Sequence, residues 1–487
     1  MEGMEDRSRT HKAQTRIQTP QTRTGRRYQR QVRRLTGLHW ALAGLILISI
    51  GRVHDHVPGL AALRPALLLT AVALVLAVLS PGRLRLDNVF KTAPARLLGL
   101  FLVAVVLSTV FGLSIGASGQ FLVTTYLPVV TVFFLLLAST RNVDDVRFYT
   151  TSFTFSVLSV SIASIFLSEP YYVDGYWRQG GVGMYDPNDV GVVFMTGLPL
   201  AVVLLRSRRS LPKLLGAATC LGILISLLLS VSRGGFLGLV VCGAAIIILS
   251  PGITWGRKLF VGLAPIALMA LFAPEGYWRQ MSTIVSAGED YNITSERGRI
   301  AIWTRGLEFV REYPVFGVGP DNFQRAAWEL SEAGRSGLMG IPLFDMAPHN
   351  TFLQVWAEIG TVGLALWIAI IGVSMMMLLR LRRRLRERGV DEGHHQHGFL
   401  YLLVSYLPAS FIGFSTTSFF VTHAFTPIFY ILLACALGTL LEGRQVLSQS
   451  QPRRFSQAPF PRPRLHQGWG SSLSQMKRPM PSTPTEA

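Results

Sequence analysis

The sequence predicts an all-α polytopic membrane protein, with about twelve transmembrane helices and one large outer loop. Three observations carry this prediction. Half of the 487 residues are hydrophobic and only 15% are charged, against roughly 25% in a soluble domain, and the mean hydropathy is +0.39. Apolar runs near spanning length recur along the chain, a spanning helix needing about 20 such residues. Lysine and arginine concentrate in alternate connections between those runs. A soluble enzyme is therefore excluded. The net charge of +19 would ordinarily point to nucleic acid, so its location has to be found.

The apolar runs lie near 36–52, 64–80, 96–115, 121–139, 148–168, 188–205, 212–230, 234–250, 258–273, 351–379, 398–416 and 421–441. They divide the chain into a basic tail at 1–35, helices one to nine at 36–273, a large loop at 274–350, helices ten to twelve at 351–441 and a second tail at 442–487. The arginine-rich opening is longer and more polar than the basic region of a signal peptide. The closing tail, rich in Pro, Ser, Gln and Arg, has the composition of a disordered segment. The connections 81–96, 140–147, 206–213, 251–258 and 380–397 hold Arg83, Arg85, Lys91, Arg206, Arg208, Arg209, Lys213, Arg257, Lys258 and the run Arg380–Arg388. By the positive-inside rule these connections and both tails are cytoplasmic. The segments so assigned carry 35 Lys and Arg against 11 Asp and Glu, while the remainder carries 11 Arg, no Lys and 16 acidic residues. The basicity is thus an orientation signal and contact with anionic inner-leaflet lipid. No nucleic-acid partner is expected.

Two outer segments exceed ordinary connections, 169–187 and 274–350. Long loops of mixed composition are usually functional, and 297–312 has the spacing of an amphipathic helix. The three cysteines, Cys220, Cys242 and Cys435, are isolated in apolar runs and read as small buried hydrophobes. No phosphate loop, nucleotide fingerprint or metal-ligand spacing is present, so neither a cofactor nor a metal is expected. His54 and His56 have no further ligand close in sequence, and the histidines at 394–397 lie in a cytoplasmic connection.

The residues able to carry chemistry are few and lie on the outer side. Arg233, in LLLSVSRGGFLGL, interrupts an apolar stretch. An arginine there is costly and marks a functional site by default, although an interfacial arginine reaching for headgroups is the structural alternative. Gly234 and Gly235 permit close approach of a ligand or backbone. In the loop helix, a rotation of about 100° per residue puts Arg299, Trp303 and Gly306 on one face and Arg305 and Glu308 on another. Arg305 and Arg311 have carboxylates at pairing distance and fit a solvated ion-paired face, which leaves Arg299 as the better ligand candidate. The PVFGVGP that follows is expected to stop the helix and turn the chain back toward the membrane. His349, at the mouth of the tenth run, is a side chain suited to general-base work near neutral pH or to a structural role. Asn350 after it is a helix cap. Glu358 lies about 13 Å further along that helix, where a buried carboxylate needs a partner; an arginine is expected to supply it. Asp186 and Asn188, in MYDPNDVG, fit a turn and helix cap as well as a ligand site.

Taken together, SRGG at 232–235, Arg299–Trp303 followed by PVFGVG at 314–319, HNTFLQVWAEIGTVG at 349–363 and the DPND turn resemble the O-antigen ligase and O-antigen polymerase family. The resemblance implies a glycosyltransferase-C-like protein of the bacterial inner membrane with a large periplasmic loop and both termini cytoplasmic. It implies transfer of a glycan from undecaprenyl diphosphate to a hydroxyl of an acceptor glycan, lipid core or protein, without metal or ATP. Arg233 and Arg299 would then hold the diphosphate and His349 would take the acceptor proton, with Arg305, Trp303, Asp186, Asn188, Asn350 and Glu358 lining or supporting the substrate site. A transporter or flippase of lipid-linked glycans is the alternative in another class. A transporter would place ionisable groups near the midplane or show repeated halves, whereas here the polar candidates gather on one side.

Overall fold

A computed structural model describes residues 35–173, 176–273, 276–286, 298–330 and 347–449. The chain is an all-α polytopic membrane protein. Among the described residues, eight helices have the length and apolarity to cross a membrane: α3 (Ala93–Phe111), α4 (Ile115–Ser139), α5 (Val143–Phe166), α7 (Ser210–Ser230), α9 (Trp255–Phe272), α13 (Thr351–Glu387), α14 (Gly398–Ser418) and α15 (Pro427–Gln449). Four shorter apolar helices accompany them, α1 (Gly37–Ser49), α2 (Pro65–Val78), α6 (Asp189–Leu205) and α8 (Arg233–Leu249). Each corresponds to one of the expected apolar runs. The loop contributes α10 (Tyr277–Ser282), α11 (Arg299–Glu312) and α12 (Phe323–Glu329).

Three details differ from expectation. The outer segment at 169–187 folds partly as an antiparallel hairpin, β1 (Pro170–Val173) with β2 (Tyr176–Gln179). The last run is displaced: 421–426 is not helical, and α15 begins at Pro427, a residue that suits a first helical turn because it has no N–H to satisfy. That helix continues to Gln449, past the boundary assigned to the second tail, because Glu442, Gly443 and Val446 are still buried. The tenth run is 37 residues long as α13, about 55 Å at helical rise, so its arginine-rich end projects beyond a hydrocarbon core of about 30 Å. Residues 1–34 and 450–487 of the two tails lie outside the described residues.

α6 lies at the centre, packed by α5, α7, α8 and α14, and almost all of its residues are buried. Small residues permit this closeness. A Cβ on Gly191 would stand 3.2 Å from the Cα of Gly235, and one on Gly238 would strike Thr417. Many buried hydroxyls bond a carbonyl within their own helix or across one contact. Thr154 bonds the carbonyl of Thr150 and Ser226 that of Ser161. The outside is the reverse of a soluble surface. On α9, Trp255, Leu259, Phe260, Leu263 and Leu271 are all more than half exposed, as side chains bathed in lipid would be.

The loop is fastened to α13 at a kink. Gly360 has φ +77° inside that helix, a conformation that suits glycine, and its break leaves carbonyls without helical donors. The turn after α11 supplies them. The N–H of Val318 donates to the carbonyl of Ala357 (2.9 Å) and that of Gly319 to the carbonyl of Glu358 (3.0 Å), while Thr361 N–H donates to Pro314 (2.9 Å). Ser108 of α3 adds its hydroxyl to the Glu358 carbonyl at 2.6 Å. PVFGVGP thus ends α11, as expected, and turns the chain back onto α13, a helix of spanning length. α11 buries Ile302, Phe309 and Val310 against Leu353 and Ala357 of α13 and Phe323 of α12, and Gly306 leaves room for the Leu353 side chain.

Candidate functional site

We call the end of the bundle that carries 169–187 and the long loop the outer end. Four segments meet there. The first is the start of α8. Val231 takes a left-handed turn at φ +46°, and the Ser232 hydroxyl caps the helix by accepting the N–H of Gly235 at 3.2 Å. This makes Arg233 the first residue of the helix, half-buried, at the positive end of the helix dipole. One of its guanidinium nitrogens, Nη1, donates to Thr283 Oγ1 at 2.9 Å. Thr283 follows α10, which is held down by buried Tyr277 packed edge-on to Phe236 of α8.

The second segment is the turn before α6. Asp186 Oδ1 accepts the N–H groups of Asn188 (2.6 Å) and Asp189 (2.8 Å), closing the turn that the sequence anticipates. Asn188 Oδ1 accepts from Ser232 Oγ at 3.0 Å and from Arg178 Nη2 at 3.1 Å. Arg178, on β2, also donates through Nε to the carbonyl of Ser230 at 2.7 Å. Asp186 and Asn188 thus shape the backbone that presents Arg233.

The third segment is the start of α11 and the fourth the start of α13. Arg299 opens α11 with its guanidinium carbon 6.0 Å from the centre of the Phe420 ring. One turn on, Trp303 Nε1 donates to the carbonyl of Pro348 at 3.1 Å and its ring meets Phe419 edge-on at 5.6 Å. His349 follows Pro348, half-buried and left-handed at φ +44°. Asn350 Oδ1 then accepts the N–H groups of Phe352 and Leu353 at 2.9 and 3.0 Å, capping α13 as expected. Arg305 is half-buried on a different side of α11.

These segments share a connector that sequence reasoning passed over, the stretch 419–426 between α14 and α15. Phe420 stands between Arg299 and Gly234, where a Cβ would come within 3.3 Å of its own Cβ. The Thr351 hydroxyl donates to the carbonyl of Val421 (2.8 Å) and accepts the N–H of His423 (2.9 Å). Gln354 Oε1 accepts the N–H of Ala424 at 3.1 Å. His423, 3% exposed, sets Nε2 3.0 Å from Asp189 Oδ1 and Nδ1 3.1 Å from Thr426 Oγ1. The connector therefore ties the start of α13 to the start of α6. The signal available was the polar run TTS at 416–418 and T-H at 422–423 in otherwise apolar sequence, closed by Pro427.

Glu358 departs from expectation. Its carboxylate is 2% exposed and, among the described residues, faces Gln354 Nε2 at 3.4 Å and the N–H groups of the turn at Asp321 and Phe323. The amide of Gln354, one turn earlier on α13, and a turn of the docked loop occupy the place expected for an arginine. Gln354 links Glu358 to the connector, touching both.

The fold and this cluster define a polytopic membrane protein whose loop arginine, membrane-end arginine and interfacial histidine are gathered at one end of the bundle. Residues 217–368 match the family model described as O-antigen ligase. The match takes in Arg233, Arg299, Trp303, Arg305, His349, Asn350 and Glu358, but neither the turn before α6 nor the connector at 419–426. An uncharacterized protein of Haemophilus influenzae is 29% identical over 154 residues, covering 29% of this chain and 38% of the relative's length.

Proposed function

We propose that the chain transfers a glycan from undecaprenyl diphosphate to an acceptor hydroxyl at the periplasmic face of the inner membrane, as an O-antigen ligase or a polysaccharide polymerase does. The observation that supports this reading is the convergence on Phe419 and Phe420. Arg233 and Arg299 come from a helix start and a loop helix, and Trp303 ties the same loop helix to the backbone beside His349. In the reaction, the acceptor oxygen forms a bond to the anomeric carbon as the bond from that carbon to the diphosphate oxygen breaks. Charge develops on the leaving lipid diphosphate, and guanidinium forks match phosphate oxygens and stabilise such developing charge. The acceptor proton passes to the His349 imidazole, a base matched to neutral pH. The N-terminal dipole of α8 adds to the positive potential at Arg233.

The test is transfer by the purified full-length chain in nanodiscs, with undecaprenyl-diphosphate glycan as donor and a panel of acceptor glycans, lipid cores and peptides. Arg233→Ala and His349→Ala are each expected to lower the rate by about 100-fold or more while the protein keeps its melting temperature. Wild-type rates in both variants would remove these residues from the reaction. Movement of the donor across the bilayer with no lipid diphosphate released would assign the chain to transport instead.

A further inference from the structure

At the inner end of the bundle a polar cavity of about 440 Å³ opens between the end of α8, the start of α9, the projecting end of α13 and the turn before α14. Its cations are Lys258, Arg382 and Arg386, and its carboxylates Asp391 and Glu392. The carboxylates are already engaged. Glu392 pairs with Arg206 at 3.4 Å, and Asp391 Oδ1 accepts the N–H of Gly393 at 2.9 Å. Arg382 and Arg386, one helical turn apart and so on one face of α13, have no side-chain hydrogen bond or ion pair among the described residues. Lys258 is fixed in place, its Nζ 5.0 Å from the centre of the Trp255 ring and 3.3 Å from the carbonyl of Ile248. Ser250 and Tyr401 also line it, the Ser250 hydroxyl being bonded to the Ile246 carbonyl and the Tyr406 hydroxyl. The cavity is therefore built for an anion with several oxygens.

We infer that this cavity holds the phosphodiester headgroup of an anionic phospholipid of the inner leaflet. The lipid source follows from its surroundings. Trp255 (75% exposed), Leu259 and Phe260 lie beside it on the lipid-facing side of α9, where acyl chains would run once the phosphate is seated. Tryptophan at such a level belongs to the membrane interface, and basic pockets between helices on the cytoplasmic side are the usual form of a headgroup site. A guanidinium pair offers the fork geometry that phosphate oxygens accept. The site lies at the opposite end of the bundle from the cluster around Phe420 and does not depend on the transfer reaction.

The experiment uses the full-length chain, delipidated in detergent, with native mass spectrometry and thermal unfolding as readouts. Phosphatidylglycerol should remain bound and raise the melting temperature by several degrees, and phosphatidylcholine should do neither. The double variant Arg382→Gln, Arg386→Gln should lose the bound lipid, and Lys258→Gln, on a different helix, should weaken it about tenfold. Arg383→Gln should bind as wild type, because Arg383 points outward, 84% exposed, and pairs with Glu387. If the double variant fails to fold, Lys258→Gln decides alone. Equal binding of the two lipids, or wild-type binding by both lining variants, would overturn the proposal. Stabilisation by millimolar inorganic phosphate equal to that by phosphatidylglycerol would assign the cavity to a soluble phosphate compound and overturn the lipid assignment.

Discussion

Trp303 shows how a single side chain joins chemistry to scaffold. Its indole N–H holds the carbonyl immediately before His349, and its ring leans on Phe419. Trp303→Phe keeps most of the packing and removes the donor. We expect the melting temperature to fall by no more than a few degrees, since one net hydrogen bond is worth about 1 kcal/mol, while transfer falls about tenfold because the histidine backbone is released. A rate loss no larger than the stability loss suggests would make Trp303 merely a packing residue. The site residues differ in how far sequence reveals them. Arg233 is visible because a guanidinium in an apolar run is costly and must have a cause. Asn350 is visible because its cap is local, two and three residues away. The bond between His423 and Asp189 spans 234 positions, and nothing local to either residue announces the other.

At the level of elements, the helices are legible because each apolar run must satisfy its own backbone in lipid, and run length then sets helix length. What sequence did not show is how the loop attaches. Beside the apolar packing of α11, the attachment uses backbone groups freed by one glycine, and backbone donors leave no side-chain pattern to read. The Gly360 kink is accordingly the element most sensitive to a small change. A Cβ there would lie 2.1 Å from the carbonyl oxygen of Val315, at a φ of +77°. Gly360→Ala should cost more than about 2 kcal/mol through strain and overlap. In detergent this should appear as a lower melting temperature and faster proteolysis within 298–330, since the bonds at Val318, Gly319 and Thr361 are lost together. A variant with the wild-type melting curve and proteolysis pattern would mean that the helix can straighten without releasing the loop. The same break explains part of the setting of Glu358, whose turn partners at Asp321 and Phe323 are there because the loop docks at the kink.

For the whole molecule, the decisive quantity is which end faces out, and the positive charges predict it. The loop cluster sits at one end, while the arginine run at 380–388 and the cavity beside Lys258 sit at the other. Glycan transfer outside the cell requires the loop end to be outward, so the charge asymmetry and the proposed reaction make the same demand independently. Single cysteines measure it directly. Leu307 on α11 is 42% exposed and Arg383 near the end of α13 is 84% exposed at its side chain. The natural cysteines give little background, since Cys242 and Cys435 are buried and Cys220 is partly so. In intact spheroplasts a membrane-impermeant maleimide should label Leu307→Cys at once and Arg383→Cys only after permeabilisation. The reverse pattern would put the arginine-rich end outside and remove the cluster around Phe420 from the compartment in which the proposed acceptor is met. Labelling of both cysteines in sealed cells would show that α13, the helix of spanning length between the two positions, does not cross.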